Sequence, residues 1–556
     1  RQNNIGGVDN VFMGYQAGAG HWITAASNYN VAIGSYAMDG ALNGALNNTA
    51  VGHGSLSGIT SGDNNTAIGY LALNDSTSAG NNVAIGADAS HKLTTANKNV
   101  AVGNLASYFN ETGIYNVSIG YEAMKGASGN SHSNNVAVGY LALTSVTTGG
   151  SNVAIGTNAG NSLTSGGSNI MIGNGVATTL STGGSNVIIG TIAGTAVSEG
   201  GKNILIGREA GKDISSGDSN VAIGYQALYV ENTGTYAVSI GYRSGYKTRL
   251  SAQNENVFIG SNAGRENTDG NDNVYVGMGA GYGISDENPS NNVAVGNNAL
   301  RYARNNNNTV IGHEAGFYAT GSQNTFVGSD AGKGGTTSAP FSSGINNTAL
   351  GYTALAGFTT GYNNVAIGSQ AAYRLTTGAY NIAIGDNTLT ASGVSGGHNI
   401  IMGYSAGTSI TSGEYNIAIG RESLIHTSTA DHNLAIGYKA LQYTGQKIST
   451  TTDTIGIGRE AGQYSAAAYN IWMGSFAGKG SSANAHSPGT SNIGIGYQSS
   501  VSFISGSYNV AVGGNTLYNN QHGEYNVAIG LGAGDHATGS YNTFVGGLAG
   551  TGGTTS

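Results

Sequence analysis

Asn65-Thr66-Ala67-Ile68-Gly69-Tyr70-Leu71-Ala72-Leu73 is followed, at an offset of 17 residues, by Asn82-Val83-Ala84-Ile85-Gly86. The phrase recurs in 31 copies, from Asn10–Gly14 to Asn542–Gly546, and successive motif glycines lie 16–23 residues apart, most often 17. A period this regular predicts a stack of similar small units rather than a conventional globular domain. Function then belongs to what the stack presents, because the phrase itself carries little chemistry.

With the motif glycine as position zero, position −4 is Asn in 29 of 31 copies, the exceptions being Ala237 and Thr454. Position −3 is Val, Ile or Thr in every copy but Leu434, and position −1 is always Ile, Val, Leu or Met. Apolar, mostly β-branched residues two apart predict a short strand with that face inward. A second element follows, as in Tyr225-Gln226-Ala227-Leu228, and an aliphatic often stands at position +7, as at Val146, Leu163, Leu180, Val197, Ile214, Leu375 and Ile410. A T-T-G or S-G turn leads back to the next Asn. One repeat is too small to hold a core alone, but it suffices for one coil of a parallel β-solenoid. The expected fold is therefore all-β: a β-roll spanning residues 1–556 as a single array of about 31 coils. At ~4.8 Å between stacked strands, such an array would extend roughly 150 Å.

The recurring Asn has a structural task in this reading. Stacked coil upon coil, the amides of Asn30, Asn82, Asn152, Asn220, Asn364, Asn416 and Asn526 would form a hydrogen-bonded ladder. Position −2 would then face outward. It is Ala in about half the copies and never charged, and it carries Met171, Ile188, Phe258, Phe326, Trp472 and Phe544 elsewhere. A strand apolar on both faces is usually covered on both. These residues are therefore expected to face identical chains in a parallel homo-oligomer.

Composition narrows the function classes. Only 9% of residues are charged, the formal net charge is −8, and no basic stripe for nucleic acid is present. No apolar run approaches the ~18 residues of a membrane helix, so membrane insertion is not expected. With no cysteine, stability must come from stacking rather than disulfides. The chain starts at Arg1 without Met or a signal peptide, which reads as a fragment or a processed form.

N-V-A-I-G-x-x-A, stacked many times, resembles the head repeat of YadA-like trimeric autotransporter adhesins. It is equally similar to the N-T-A-I-G-Y-x-A-L repeat of phage tail-fibre proteins, as Asn65–Leu73 and Asn364-Val365-Ala366-Ile367-Gly368 illustrate. The resemblance covers nearly the whole chain. It implies a left-handed β-roll in a homotrimer, exposed outside a cell or on a virion and used for attachment. The coils here carry a longer turn than those adhesin heads. A self-assembling filament or surface-layer component without a receptor is the competing class.

Catalytic and metal-binding signals are weak. G-x-G fragments around Gly277, Gly279 and Gly281 open no predicted helix, which leaves no dinucleotide fingerprint. The 11 histidines are dispersed, with His426 and His432 the nearest pair. Acidic turns such as Asp269–Asn273 lack the strict calcium-roll period. The chain reads as a non-enzyme without a cofactor. Tyrosines follow the motif glycine in ten copies and precede the Asn position in nine, forming two broken stripes expected to stack from coil to coil. Thr pairs such as Thr147-Thr148 and Thr359-Thr360 are too interrupted for an ice-binding array. Recognition is expected where the period lengthens, near residues 21–29, 247–255, 333–344, 442–453 and 479–491, because extra residues must leave the coil as loops. Lys333, Pro340, Phe341, His486 and Pro488 are the receptor-loop candidates, for a cell-surface glycan or protein.

Overall fold

The computed structural model describes residues 7–22, 25–230, 233–249, 255–284, 287–335, 341–443, 452–480 and 488–551. Every motif copy forms a three-residue strand, and no helix occurs among the described residues. The fold is a parallel β-solenoid, as the period predicts. Where the sequence reads as one array, the contacts divide it into two compact units: residues 1–273 with 285–288, and 274–284 with 289–556. In a stack each coil touches only its neighbours, so a long array has no single core to make it one body. The first unit carries strands β1 (Val11–Met13) to β15 (Val257–Ile259), and the second carries β16 (Val274–Val276) to β31 (Thr543–Val545).

Within each unit consecutive strands pair in parallel with no slip. Val83, Ala84 and Ile85 stand beside Val100, Ala101 and Val102, and Val365, Ala366 and Ile367 beside Ile382, Ala383 and Ile384. The hydrogen bonds are regular: Val83 N–H donates to Asn99 O at 2.9 Å and Gly103 N–H to Ile85 O at 2.8 Å. The motif glycine is demanded by its backbone. Gly86 has φ +135°, and a Cβ there would lie 2.5 Å from the carbonyl oxygen of Gly103. The coil turns further through left-handed residues that are not glycine, such as Asn81, Asp88 and Ser90 (φ +59°, +57° and +49°).

The facing of the strand is the reverse of the expectation. Ala84, Ala154 and Ala366, all at −2, are fully buried, whereas Ile85 and Ile155 at −1 are 38% and 39% exposed. Met171, Ile188, Phe258, Phe326 and Trp472 therefore do not face other chains; each is fully buried inside its own coil. Phe544 is partly buried and packs against the cluster of Ala511, Leu517, Ala528 and Ala533. The physical reason is volume. Adjacent side chains in a strand point to opposite faces, and the narrow interior also receives positions +3, +4 and +7, exemplified by the buried Ala142, Leu143 and Val146. Ala at −2 is what remains to fill it.

Where −2 is large, a glycine makes room. A Cβ on Gly264 would lie 2.7 Å from the Phe258 ring, one on Gly332 2.4 Å from Phe326, and one on Gly478 2.0 Å from Trp472. These glycines stand at +4, where coils with Ala at −2 carry Leu73, Leu143 or Leu355. Positions −2 and +4 thus share one volume, as a close-packed interior requires.

The Asn ladder forms as expected and is buried. Asn152 Oδ1 accepts the backbone N–H of Asn169 at 2.9 Å and its Nδ2 at 3.1 Å, while Asn152 Nδ2 donates to Gly166 O at 2.9 Å. Asn30, Asn82, Asn364, Asn416 and Asn526 repeat this pattern. Asn220 receives the N–H of Ala237 and donates to Gly234 O. Thr454 substitutes by donating Oγ1 to Ala467 O at 3.2 Å.

Candidate functional site

With core and ladder inside, the outer surface resolves into columns set by position in the coil. The first is aliphatic. Positions −3 and −1 carry no charged residue in any copy. Ile68, Ile119 and Ile259 in the first unit, and Ile311, Leu350 and Ile529 in the second, are 37–47% exposed. Monomeric soluble proteins rarely expose continuous apolar surface of this kind.

Aromatic columns flank it. At +1, Tyr121 stacks on Tyr140 and Tyr225 on Tyr242, with ring centroids 5.4 and 5.5 Å apart. Just before the Asn ladder, Tyr380, His398, Tyr415 and His432 form a nearly parallel stack at 4.8, 4.9 and 5.2 Å. Both columns are the stripes that tyrosine spacing predicts. A third lies at +5 and +6, outside both tyrosine stripes: His426, Tyr443 and Tyr464 stack there at 4.7 and 5.0 Å. His426 and His432, neighbours in sequence, thus belong to different columns. The sequence signal of the third column is the recurrence of aromatics at +5 and +6.

The loop candidates separate. Pro340 and His486 lie outside the described residues. Pro488 is exposed. Phe341 joins the third column, stacking on Tyr302 at 4.8 Å and on Tyr318 at 6.0 Å. Lys333 Nζ bonds Glu314 at 2.6 Å and Asp330 at 2.8 Å. Burial pulls the Lys333 ammonium down, but the bonds and charges of Asp330 and Glu314 outweigh it and hold its pKa above the ordinary lysine value.

His313, Glu314 and Asp330 bring potential ligand atoms within 4.8 Å of one another, a grouping that sequence spacing hides because it joins two coils. Lys333 Nζ already bonds both carboxylates. The acidic turn near Asp269 is closed by Asn267, whose Oδ1 accepts Gly270 N–H at 3.1 Å and whose Nδ2 donates to Gly270 O at 2.9 Å. The turn threonines direct their hydroxyls into the stack, Thr147 to Thr164 O and Thr359 to Thr376 O, each at 3.0 Å. His132 is buried, neither ring nitrogen has a hydrogen-bond partner among the described residues, and burial depresses its pKa to about 4.

Lys333, Asp330, Thr353, Ala356, Tyr373 and Arg374 line an open cavity of about 420 Å³ floored by Gly334, Gly335 and Gly357. It interrupts the third column: position +6 reads Tyr302, Tyr318, Gly334, Gly357, Arg374 in successive coils.

No known family model matches the chain, and no curated protein matches it. Its class is therefore that of its fold, a parallel β-solenoid repeat protein.

Proposed function

We propose that this chain forms an extracellular or virion-surface fibre, the shaft or head of a homotrimeric adhesin or tail fibre. It provides reach and multivalent attachment to a cell surface. The observation that carries the reading is the aliphatic outer face of the strand. It repeats in every coil of both units, and burial against identical copies removes it from water. Positions −3 and −1, rather than the buried −2, are then the ones that meet identical chains. Each copy presents the same stripe at the same height, so self-association around a symmetry axis matches stripe to stripe. The motif resemblance points to three copies. Any recognition element would then appear three times at one height, and avidity would multiply weak contacts.

Sedimentation equilibrium tests this. A discrete mass near three times the 55.7 kDa chain is expected. A monomer overturns the reading, and a mass that grows with concentration without a plateau favours the filament without a receptor. Attachment is tested by flow cytometry with labelled protein: the assembled form is expected to bind cells far more strongly than a dissociated variant.

A further inference from the structure

We infer that the notch in the third column is a binding site for one neutral hexopyranose ring of a glycan. This deepens the attachment reading above and rests on it. At +5 and +6 neighbouring coils carry Arg301 and Tyr302, then Phe317 and Tyr318, and further on Tyr373 and Arg374; between them stand Lys333 and Gly334, then Ala356 and Gly357, with the Lys333 ammonium held on Glu314 and Asp330. Two coils at ~4.8 Å each leave a gap of about 10 Å with a backbone floor.

The lining matches the two surfaces of a sugar. A pyranose offers an apolar C–H face and a rim of hydroxyls. Tyr373 is 36% exposed and supplies an aromatic face for the first. For the rim, the Asp330 carboxylate accepts and the Arg374 guanidinium donates. Arg374 is already oriented, its Nη1 donating to Ser392 Oγ at 3.0 Å and its guanidinium lying 5.8 Å from the Tyr373 ring centroid. Thr353 also lines the notch, with its Oγ1 buried beneath the surface.

Charge selects the class. Lys333 and Arg374 stand against Asp330 and Glu314, two positive groups against two negative. Lys333 already spends its charge on both carboxylates. The four groups sum to zero, so the lining has no net positive charge to favour an acidic sugar, and a few convergent polar groups beside an aromatic face suit a neutral one.

Saturation-transfer NMR on the full chain tests the site with methyl glucopyranoside, methyl galactopyranoside, methyl mannopyranoside and methyl glucuronide. At least one neutral glycoside is expected to receive transfer and to bind no more weakly than the glucuronide. Tyr373→Ala is expected to weaken binding about tenfold by removing the stacking face. Ala356→Phe is expected to abolish it by filling the notch, while Tyr469→Ala, at an exposed position in another column, leaves it unchanged. Circular dichroism and sedimentation of each variant verify fold and assembly. No transfer to any neutral glycoside, transfer to the glucuronide alone, or unchanged binding in folded Tyr373→Ala overturns the proposal. A trimer that attaches to cells without sugar binding sinks only the notch; a monomer that binds sugar sinks the fibre reading and leaves the notch standing.

Discussion

At residue scale, the interior is a contest for volume between positions −2 and +4, and Trp472 is its extreme. Three glycines crowd it: added Cβ atoms on Gly462, Gly478 and Gly494 would lie 2.5, 2.0 and 2.6 Å from its ring. Gly478→Leu alone should destabilise the second unit by more than about 3 kcal/mol, from overpacking plus a left-handed backbone at φ +54°. Trp472→Ala alone should cost about 3–5 kcal/mol through the cavity it leaves. Combined, they recreate the Ala–Leu pairing of neighbouring coils and should recover part of the loss, which a double-mutant cycle from urea unfolding reads as positive coupling. Additive effects would contradict the shared-volume rule. His132 makes a second residue-scale prediction. Its folded pKa of about 4 lies below the ordinary 6.5, so below pH 6.5 the unfolded chain binds a proton that the folded chain refuses. Its contribution is fully present above pH 6.5 and falls as the pH drops towards 4, by up to about 3 kcal/mol. Urea midpoints at pH 7 and 4.5 should therefore diverge more in the wild type than in His132→Leu; equal divergence would contradict the assignment.

At the scale of one coil, the ladder and the strand divide the labour. Each ladder Asn satisfies the N–H of the next, so Asn152→Ala leaves the Asn169 N–H without its 2.9 Å acceptor and Gly166 O without its 2.9 Å donor. A cost of about 2–4 kcal/mol is expected for two buried groups. Hydrogen exchange should show that cost concentrated in the coils around residue 152, because contacts are local. Uniform loss of protection would count against it. The natural break at Ala237 already shows that a backbone N–H can donate without an amide side chain of its own. This part of the design was legible in advance: strand position, ladder and the +7 aliphatics all follow from spacing. The facing was not, and the reason is physical. Both strand faces are free of charge, so alternation alone cannot say which is inside. The small size of Ala at −2 and its trade with Gly at +4 carried that information, which appears only when both positions are seen to fill one space. The notch was hidden for a related reason, since its walls come from three coils and its floor from residues defined by what they lack.

At the scale of the whole molecule, the charge-free aliphatic stripe becomes the dominant fact. Each Ile on it is already more than half covered, so completing its burial offers about 0.6–1.2 kcal/mol. Many such residues in register make association cumulative, while a single charge is correspondingly disruptive. Ile155→Lys and Ile189→Lys together would place two ammonium groups on the outward face of the first unit without touching the core at −2. The double variant should keep its β-sheet circular dichroism and its thermal midpoint at high dilution, yet shift towards monomer in sedimentation. The matched inward pair, Ala154→Lys and Ile188→Lys, should instead fail to fold, because fully buried ammonium groups have no counter-charge there. Salt supplies the complementary readout. An interface held by apolar burial should persist, or tighten, in sulfate, whereas one held by ion pairs would weaken as ionic strength rises. Dissociation by salt, or an outward Lys pair with unchanged mass, would remove the aliphatic stripe as the seam of the assembly.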